Sequence, residues 1–566
     1  MKIVVAYCNS CFLKLIVLLL LVCSWVVVSE PFSSLEAQQL QLIQQASKFE
    51  ILQDFRKPKR IAFSAFFGGA SHVNWVLTIL DELSTRDHST FFITNEEHLK
   101  FGKSFPNIET LLSDTCIMSP DQRPNMVKMF RSAPAMESLH ALITVLSSAF
   151  EDSFLHLIHY FKTYEIDLAL CDHFNSACAE ASHFLGIPYI ITSSTALGPD
   201  TATPYINNEF HTIRHPTIQT MSFWERFDKS IIKPFEIPLK LYKVLATHKE
   251  KLHTLGIRDP PMNPEDRWRS AVKLVNSCFG FEPGRPIGPL VEFIGPILHT
   301  KTAPLTQDLV DFLDSHNRVV YVAFGQHAIA TTEDLNLIMN ALLNTYKNGD
   351  IDGIIWATRH LNFPPYFKIS NVTYDLGSFY GNHSDILFLS WAPQLSILKH
   401  DAVKTFVTHG GAGSLYEALY AGVRLIIYPF FIDQPGAALT AQRNGLGLKL
   451  DSRATQQEAN DIIKQVVSDV NHTFQKNVDK FKALVQIRAN RGPQRGADVV
   501  EEVLFMDGQI KYRFDVRERM SFVKVYNIDV YAFMCIVIYS IGRTIIGLCK
   551  FCQRKYSSIH HKSKIL

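Results

Sequence analysis

Val403–Thr408 is an apolar, β-branched run that ends abruptly in His409-Gly-Gly-Ala-Gly-Ser414. Helical spacing then begins at Leu415 and carries to Ala421, with Gly422 placed to stop it. A strand that passes through a glycine-rich turn straight into a helix builds a parallel sheet, because the helix is the crossover. The alternation recurs along the chain. Arg60–Phe66, Leu168–Leu170 and Tyr189–Ile191 are short apolar strands, and Val73, Val76, Leu77, Leu80 and Leu83 give one helical face after the first of them. Val319–Phe324, Gly353–Ala357, Leu387–Leu389 and Leu425–Pro429 repeat the pattern later. The Pro/Gly-rich stretch Glu282–Pro289 with Gly295-Pro296 separates the two runs. The expectation is an α/β chain of two doubly wound sheets facing a cleft, with ligands at the carboxyl ends of the strands.

At 566 residues the chain exceeds one ordinary core, and 47% hydrophobic with 19% charged residues describes a packed protein. A net charge of +2, with no basic tract interleaved with aromatics, argues against a nucleic-acid partner. The ten cysteines show no CxxC pair; Cys116, Cys171, Cys178 and Cys278 fall in the body, and their pairing cannot be read from spacing.

Both ends suggest a membrane context. Residues 1–29 carry Lys2 and an apolar run from Phe12 to Val28, with Val27 and Ser29 at small-residue positions before Glu30-Pro31; this reads as a signal peptide, the alternative being an uncleaved anchor. Tyr531–Cys549 supplies nineteen mostly apolar residues, enough to cross a core of ~30 Å, so a transmembrane helix is expected over 528–549. Lys550, Arg554, Lys555, Lys562 and Lys564 follow with no acidic residue, which makes 550–566 a cytosolic tail and the body luminal. Lys562 and Lys564 sit as in dilysine signals that coat proteins recognise to retrieve proteins to the endoplasmic reticulum, or are only the positive flank. The sequons at Asn371, Asn382 and Asn471 agree with a luminal body.

The most informative stretch runs Trp391-Ala-Pro-Gln394, His409 to Ser414, Glu417, and Pro429-Phe-Phe-Ile-Asp433-Gln434. The glycine-rich turn exposes backbone N–H groups at the positive end of a helix, where a diphosphate is favoured. His409 adds a donor there. Asp433 and Gln434 reach the same rim and suit sugar hydroxyls; Trp391 offers a flat face to a base, and Glu417, inside the first turn, suits ribose hydroxyls. Singly, each has an ordinary explanation: a capping histidine, a solvated helix charge, a core tryptophan.

As an ordered set of forty-four residues from Trp391 to Gln434, the stretch resembles the signature box of the UDP-glycosyltransferase family, which includes plant small-molecule glucosyltransferases and animal glucuronosyltransferases. Trp391, Gln394, His409, Gly411, Glu417, Asp433 and Gln434 match its donor-contacting positions, and Gly413, Ser414 and Gln326 fall in its donor region. The resemblance implies a GT-B fold of two Rossmann-like domains: residues 30–284 binding acceptor, a linker at 285–304, 305–470 binding UDP-sugar, and 471–527 as helices returning to the first domain. It also implies no cofactor, the UDP-sugar being a co-substrate. Four positions depart from the family pattern: Gly413 stands where Asn is frequent, Arg424 where Pro is, Ala437 where Asn is, and Gln326 where Ser is. The Gly413 form is similar to the sterol glucosyltransferase branch.

His72 follows the first strand through Phe67-Gly-Gly-Ala-Ser, and Asp172 ends the strand at Leu168. An aspartate on one ring nitrogen fixes the tautomer and raises the basicity of the other. Alone, His72 is as readily an idle helix residue; the resemblance implies that Ser71-His72 supplies the base and Asp172 its partner, for inverting displacement. Asp350-Ile-Asp352 precedes its strand at the amino end of the sheet, so it reads as a solvated turn and not a metal ligand pair. Expected partners are UDP-glucose or UDP-glucuronate, a lipophilic acceptor and the bilayer. The rival is a silent luminal sugar-nucleotide binder or assembly protein.

Overall fold

The computed structural model describes residues 57–562, apart from 119–121, 133–134, 197, 208–214, 300–302, 326–327, 359–360, 362, 364, 370–371, 376–382 and 509. The signal peptide, Gln326, Asn371, Asn382 and Lys564 therefore lie outside the described residues, while Pro58 onward forms one compact unit.

Seven parallel strands make the first sheet: β1 (Arg60–Ala65), β2 (Ser89–Thr94), β3 (Glu109–Leu112), β4 (Leu168–Asp172), β5 (Tyr189–Ser193), β6 (Val272–Val275) and β7 (Val291–Phe293), in the order β3-β2-β1-β4-β5-β6-β7. Its helices include α1 (Ala70–Ser84), α2 (Arg123–Ser132), α3 (Ala135–Ser148), α4 (Phe150–Thr163), α5 (Ser176–Leu185) and α6 (Lys233–Thr254). Strand period decides what each face meets. Ile61, Phe63 and Ala65 pack with Val76 and Ile79 of α1, whereas Ala62 and Phe66 pack with Phe154 and Leu157 of α4. Both faces are thus covered, as a parallel sheet requires. Strand β7 lies inside the stretch expected as linker: the prolines around it leave Val291–Phe293 extended, free to pair with Lys273–Val275 at the sheet edge.

The second sheet holds β8 (Val319–Ala323), β9 (Gly353–Ala357), β12 (Ile386–Leu389), β13 (Val403–Thr408), β14 (Arg424–Ile427) and β15 (Gly447–Lys449), in the parallel order β12-β9-β8-β13-β14-β15; β10 (Tyr366–Ile369) and β11 (Val372–Asp375) form a separate hairpin. The main helices are α7 (Thr332–Lys347), α8 (Ala412–Ala421) and α9 (Gln434–Arg443). Val320 and Val322 face the α7 side, and Val319 and Tyr321 the α8 side.

Helix α10 (Thr473–Phe505) joins the two sheets, packing against α8 along one part and α1 along another. Gly492 and Gly496 permit this, since a Cβ at either would fall 2.4 Å from Ile297 or 2.6 Å from Ile79. Arg86, in the turn that follows α1, ion-pairs with Asp498 and Glu501 of α10. Across the sheets, Arg131 of α2 pairs with Asp334 of α7, which also accepts from the Tyr428 hydroxyl.

Helix α11 (Ile528–Lys562) extends the apolar run expected over 528–549 by continuing through its polar flank. By length and composition it is the one single helix among the described residues able to cross a membrane, over Ile528–Lys555, and that window is unburied. The bent apolar pair of α3 and α4 passes the same test together, yet Leu142, Phe154 and Leu157 of that pair lie in the cores.

Candidate active site

In both sheets the strand order reverses next to the first strand, between β1 and β4 and between β8 and β13. Loops leaving the carboxyl ends there part in opposite directions and open a crevice. His72 follows β1 and Asp172 ends β4; Gly325 follows β8 and His409 follows β13. A cavity of ≈ 1640 Å³ is lined from both sheets, by His72, His173, Trp391, Gln394, His409, Gly411, Gly413, Ser414, Glu417, Asp433 and Gln434 among others.

On the first side, Gly68 takes a positive φ of 92° to turn the chain out of β1, and a Cβ there would lie 2.6 Å from the His72 ring. His98 and Asn95 bond the Gly68 and Phe66 carbonyls and fix the turn. His72 Nδ1 lies 2.9 Å from Asp172 Oδ2, and the Phe174 amide donates to Asp172 Oδ1 at 3.0 Å. The imidazole runs nearly parallel to two neighbouring rings, His173 at 5.1 Å and Phe174 at 5.2 Å, which themselves lie 4.1 Å from each other. A disulfide, Cys171–Cys178, ties the end of β4 to α5 directly beside Asp172.

Burial pulls the His72 pKa down, but the charge and hydrogen bond of Asp172, with Asp433 adding, leave it above the ordinary histidine value. Burial pushes Asp172 up; His72 and His173 outweigh that and hold it below the ordinary carboxylate value. His173, dominated by burial, falls to about 4 and is neutral at physiological pH.

On the second side, helix α8 starts at Ala412, three residues before the sequence-based expectation. Gly410, at φ 88°, makes the whole turn, so Ala412-Gly413-Ser414 enters the first helical turn and presents its N–H groups to the cavity. Glu417 consequently sits in the second turn, not the first. Gln394 donates to Ser414 Oγ (3.1 Å) and Glu417 Oε2 (2.6 Å), linking three of the expected residues. Burial raises the Glu417 pKa against that bond. The His409 ring lies against Gly325 and Gly411, where a Cβ would fall 2.8 and 2.4 Å from it. Trp391 is 59% exposed, its ring bare to the cavity mouth.

Asp433 stands at the N-cap position of α9, without a side-chain capping bond, and does not end a strand: β14 stops at Ile427, and Pro429–Ile432 loops over with Ile432 at φ 52°. Burial raises the Asp433 pKa most, partly offset by its own backbone and by His72. Gln434 spends Oε1 on the Phe430 and Phe431 amides, holding that loop and leaving its NH₂ as the group able to donate onward. Arg424 lies away from the cavity, bonding the Lys404 carbonyl and facing Asp469 at 3.8 Å. Asp352 accepts from the Asn317 and Arg318 amides at the opposite edge of the sheet. Asn471 is exposed in the turn before α10.

Two features escaped the sequence, and one of its open readings is narrowed. The cluster of His72 with the His173 and Phe174 rings follows from His173-Phe174 coming directly after Asp172, a proximity signal that was legible. The irregular segment Pro199–Glu265, open in sequence as an acceptor-pocket wall, as helices against the membrane, or as ordinary core and surface helices, contributes Ile237, Leu241 and Leu245 of α6 to an apolar part of the cavity lining, with Leu142 and Leu146 of α3 beside them. The Arg131–Asp334 contact joins residues far apart in the chain and had no local signal.

The profile of the family described as UDP-glucoronosyl and UDP-glucosyl transferase matches residues 69–563. A UDP-glycosyltransferase of Talaromyces amestolkiae is 27% identical over 65% of this chain and 73% of its own length. UDP-glycosyltransferase stmC of Aspergillus ustus is 25% identical over 81% of this chain and 90% of its own. Among solved structures, Phytolacca americana UGT2 complexed with UDP-2fluoro-glucose and pterostilbene is similar at a TM-score of 0.54 and 18% identity, over 80% of this chain and all of that one. Two Rossmann-like sheets around one cleft are the GT-B fold, and the chain belongs to the UDP-glycosyltransferase family.

Proposed function

We propose that the chain moves a hexose, glucose or glucuronate, from its UDP-sugar to a hydroxyl of a lipophilic small molecule, sterol or lipid, with inversion at the anomeric carbon. The observation that carries the reading is the His72–Asp172 contact, which opens into the same cavity as the glycine-rich helix start. Asp172 accepts a hydrogen bond from the Nδ1–H of His72, so the Nε2 lone pair is available to the acceptor hydroxyl. The acceptor oxygen attacks C1 of the sugar as it gives its proton to Nε2. The bond from C1 to the diphosphate oxygen breaks, and its electron pair leaves with UDP. The charge developing there meets the backbone N–H groups of Ala412, Gly413 and Ser414 and the His409 ring. Trp391 carries the base, Glu417, oriented by Gln394, takes the ribose, and Asp433 with Gln434 takes the sugar hydroxyls. No cofactor enters this scheme.

The apolar wall of α3 and α6 supports a lipophilic acceptor. Among the described residues lining the cavity, Arg269 is the one arginine or lysine, and it pairs with Asp266, which favours a neutral hexose over glucuronate. In the same reading α11 spans the endoplasmic reticulum membrane, the body is luminal and glycosylated at its sequons, and Lys562 with Lys564 serves retrieval.

The test is UDP release by the detergent-solubilised chain, offered UDP-glucose or UDP-glucuronate against mixed sterols and phenols, with His72→Ala alongside. Acceptor-dependent release that vanishes in the variant is expected. Equal release from the variant would remove His72 from the chemistry.

A further inference from the structure

We propose that His72, Asp172 and His173 also form a three-ligand site for a divalent transition-metal ion of the zinc class, and that an ion bound there silences the enzyme. The second half rests on the assignment of His72 as base. His72 Nδ1 lies 2.9 Å and His173 Nδ1 3.7 Å from the same oxygen, Asp172 Oδ2. One donor atom from each residue lies within 4.8 Å of the other two. Four-coordinate zinc with bonds of about 2.0–2.1 Å to nitrogen and oxygen places its ligands about 3.3 Å apart, so these separations bracket a zinc tetrahedron. His72 has the most exposed side chain of the three, at 14%.

The second observation is His173 itself. Its Nδ1 is buried with no hydrogen-bond partner, an imidazole lone pair that the fold leaves unused. Backbone bonds hold the segment: the His173 amide donates to the Thr192 carbonyl, and the Phe174 amide donates to Asp172 Oδ1. Two imidazoles and a carboxylate suit zinc, copper or nickel in preference to magnesium or calcium. His72 and His173 both line the cavity, so the fourth coordination position opens onto it.

The inhibition follows from the tautomer. An ion on Nδ1 of His72 leaves the ring proton on Nε2, the nitrogen that faces the acceptor. That nitrogen then has no lone pair to receive a proton, and the Asp172 charge is spent on the ion.

Detergent-solubilised full-length chain, stripped with a chelator, is titrated with ZnCl₂ by calorimetry and with CoCl₂ by visible absorption, both without nucleotide. His173→Phe and His173→Gln are each expected to lose one binding equivalent and the four-coordinate cobalt bands, as is His72→Ala. Zinc inhibition of UDP release, reversed by EDTA in the parent chain, weakens by about tenfold or more in the two His173 variants, the smallest cost expected for losing a ligand. Equal stoichiometry in parent and variants overturns the site. Occupation of that equivalent with undiminished UDP release overturns the silencing step and, with it, the base assignment, while leaving the site standing.

Discussion

Replacing Asp172 by Asn should be more damaging than removing the side chain altogether. The carboxylate has two fixed neighbours, the Phe174 N–H on Oδ1 and His72 Nδ1 on Oδ2. An N–H can be satisfied only by an acceptor, so in Asp172→Asn the amide oxygen stays with Phe174 and the NH₂ turns to His72. Nδ1 must then accept, the ring proton moves to Nε2, and the base is lost. The same change in a hydrolase triad costs about 10⁴ in kcat, so a loss of about 10³–10⁴ is expected, or about 4–5.5 kcal/mol of barrier. Asp172→Ala frees the tautomer and should retain more activity. Its pH–rate limb should also move: the parent inflects above 6.5, whereas burial without Asp172 carries the variant below 6.5. UDP affinity should be unchanged, because the proposed nucleotide site is built on the other sheet. The assay is kcat for acceptor-dependent UDP release across pH, with UDP binding measured separately. An Asn variant as active as the Ala variant, or within tenfold of the parent, refutes the tautomer argument.

The same pair sets a stability window. Asp172, with its pKa lowered below 3.8, contributes stability above that value that is lost as pH falls through the folded pKa; His72, raised above 6.5, contributes below 6.5 and loses it as pH rises through its own. The Tm gap between parent and Asp172→Asn should therefore be widest between the two unfolded values and narrow outside them. Removing the disulfide as Cys171→Ala/Cys178→Ala should cost about 2.5 kcal/mol by loop closure, read as denaturant midpoint, with reductant ceasing to affect the variant. Gly325→Ala, at φ 73° and against His409, should weaken UDP binding by about tenfold, roughly 1–3 kcal/mol of strain, whereas Gly413→Ala, whose nearest neighbour is Ser71 at 3.7 Å, should leave it within about twofold; calorimetry separates them. Arg131→Met should lower stability by about 3 kcal/mol, because Asp334 keeps its burial and loses its cation, and a Tm scan reads it.

The strands were legible because burial on both faces leaves an unbroken apolar run, as in Val319–Ala323, or one broken only near its start, as by Lys404 in Val403–Thr408. The pairing of His72 with Asp172 was implied by the family resemblance, with their places at strand ends agreeing, and the reversal of strand order beside β1 explains why those two ends adjoin. The start of α8 was misjudged because three glycines look like a longer turn than the single left-handed Gly410 needs. The segment that holds helix α6 stayed open between pocket wall, membrane-facing helices and ordinary core for a different reason. Ile237, Leu241 and Leu245 line the cavity while Phe235, Leu239 and Tyr242 are exposed, so apolar residues occupy two faces and the helical period blurs; Pro238 inside it disguises it further.

Helix α10 has a consequence measured in time. The face of the first sheet that buries Val76 and Ile79 is finished by Val499, Val500 and Val503, and these leave the ribosome roughly 400 residues after α1 does, a lag of roughly 20–80 s at ordinary elongation rates. Through that interval the nascent chain carries a bare apolar groove that nothing yet synthesised can fill. Moving the α10 sequence ahead of β1 by circular permutation would abolish the wait, so chaperone dependence during synthesis should fall while the finished enzyme keeps its cavity.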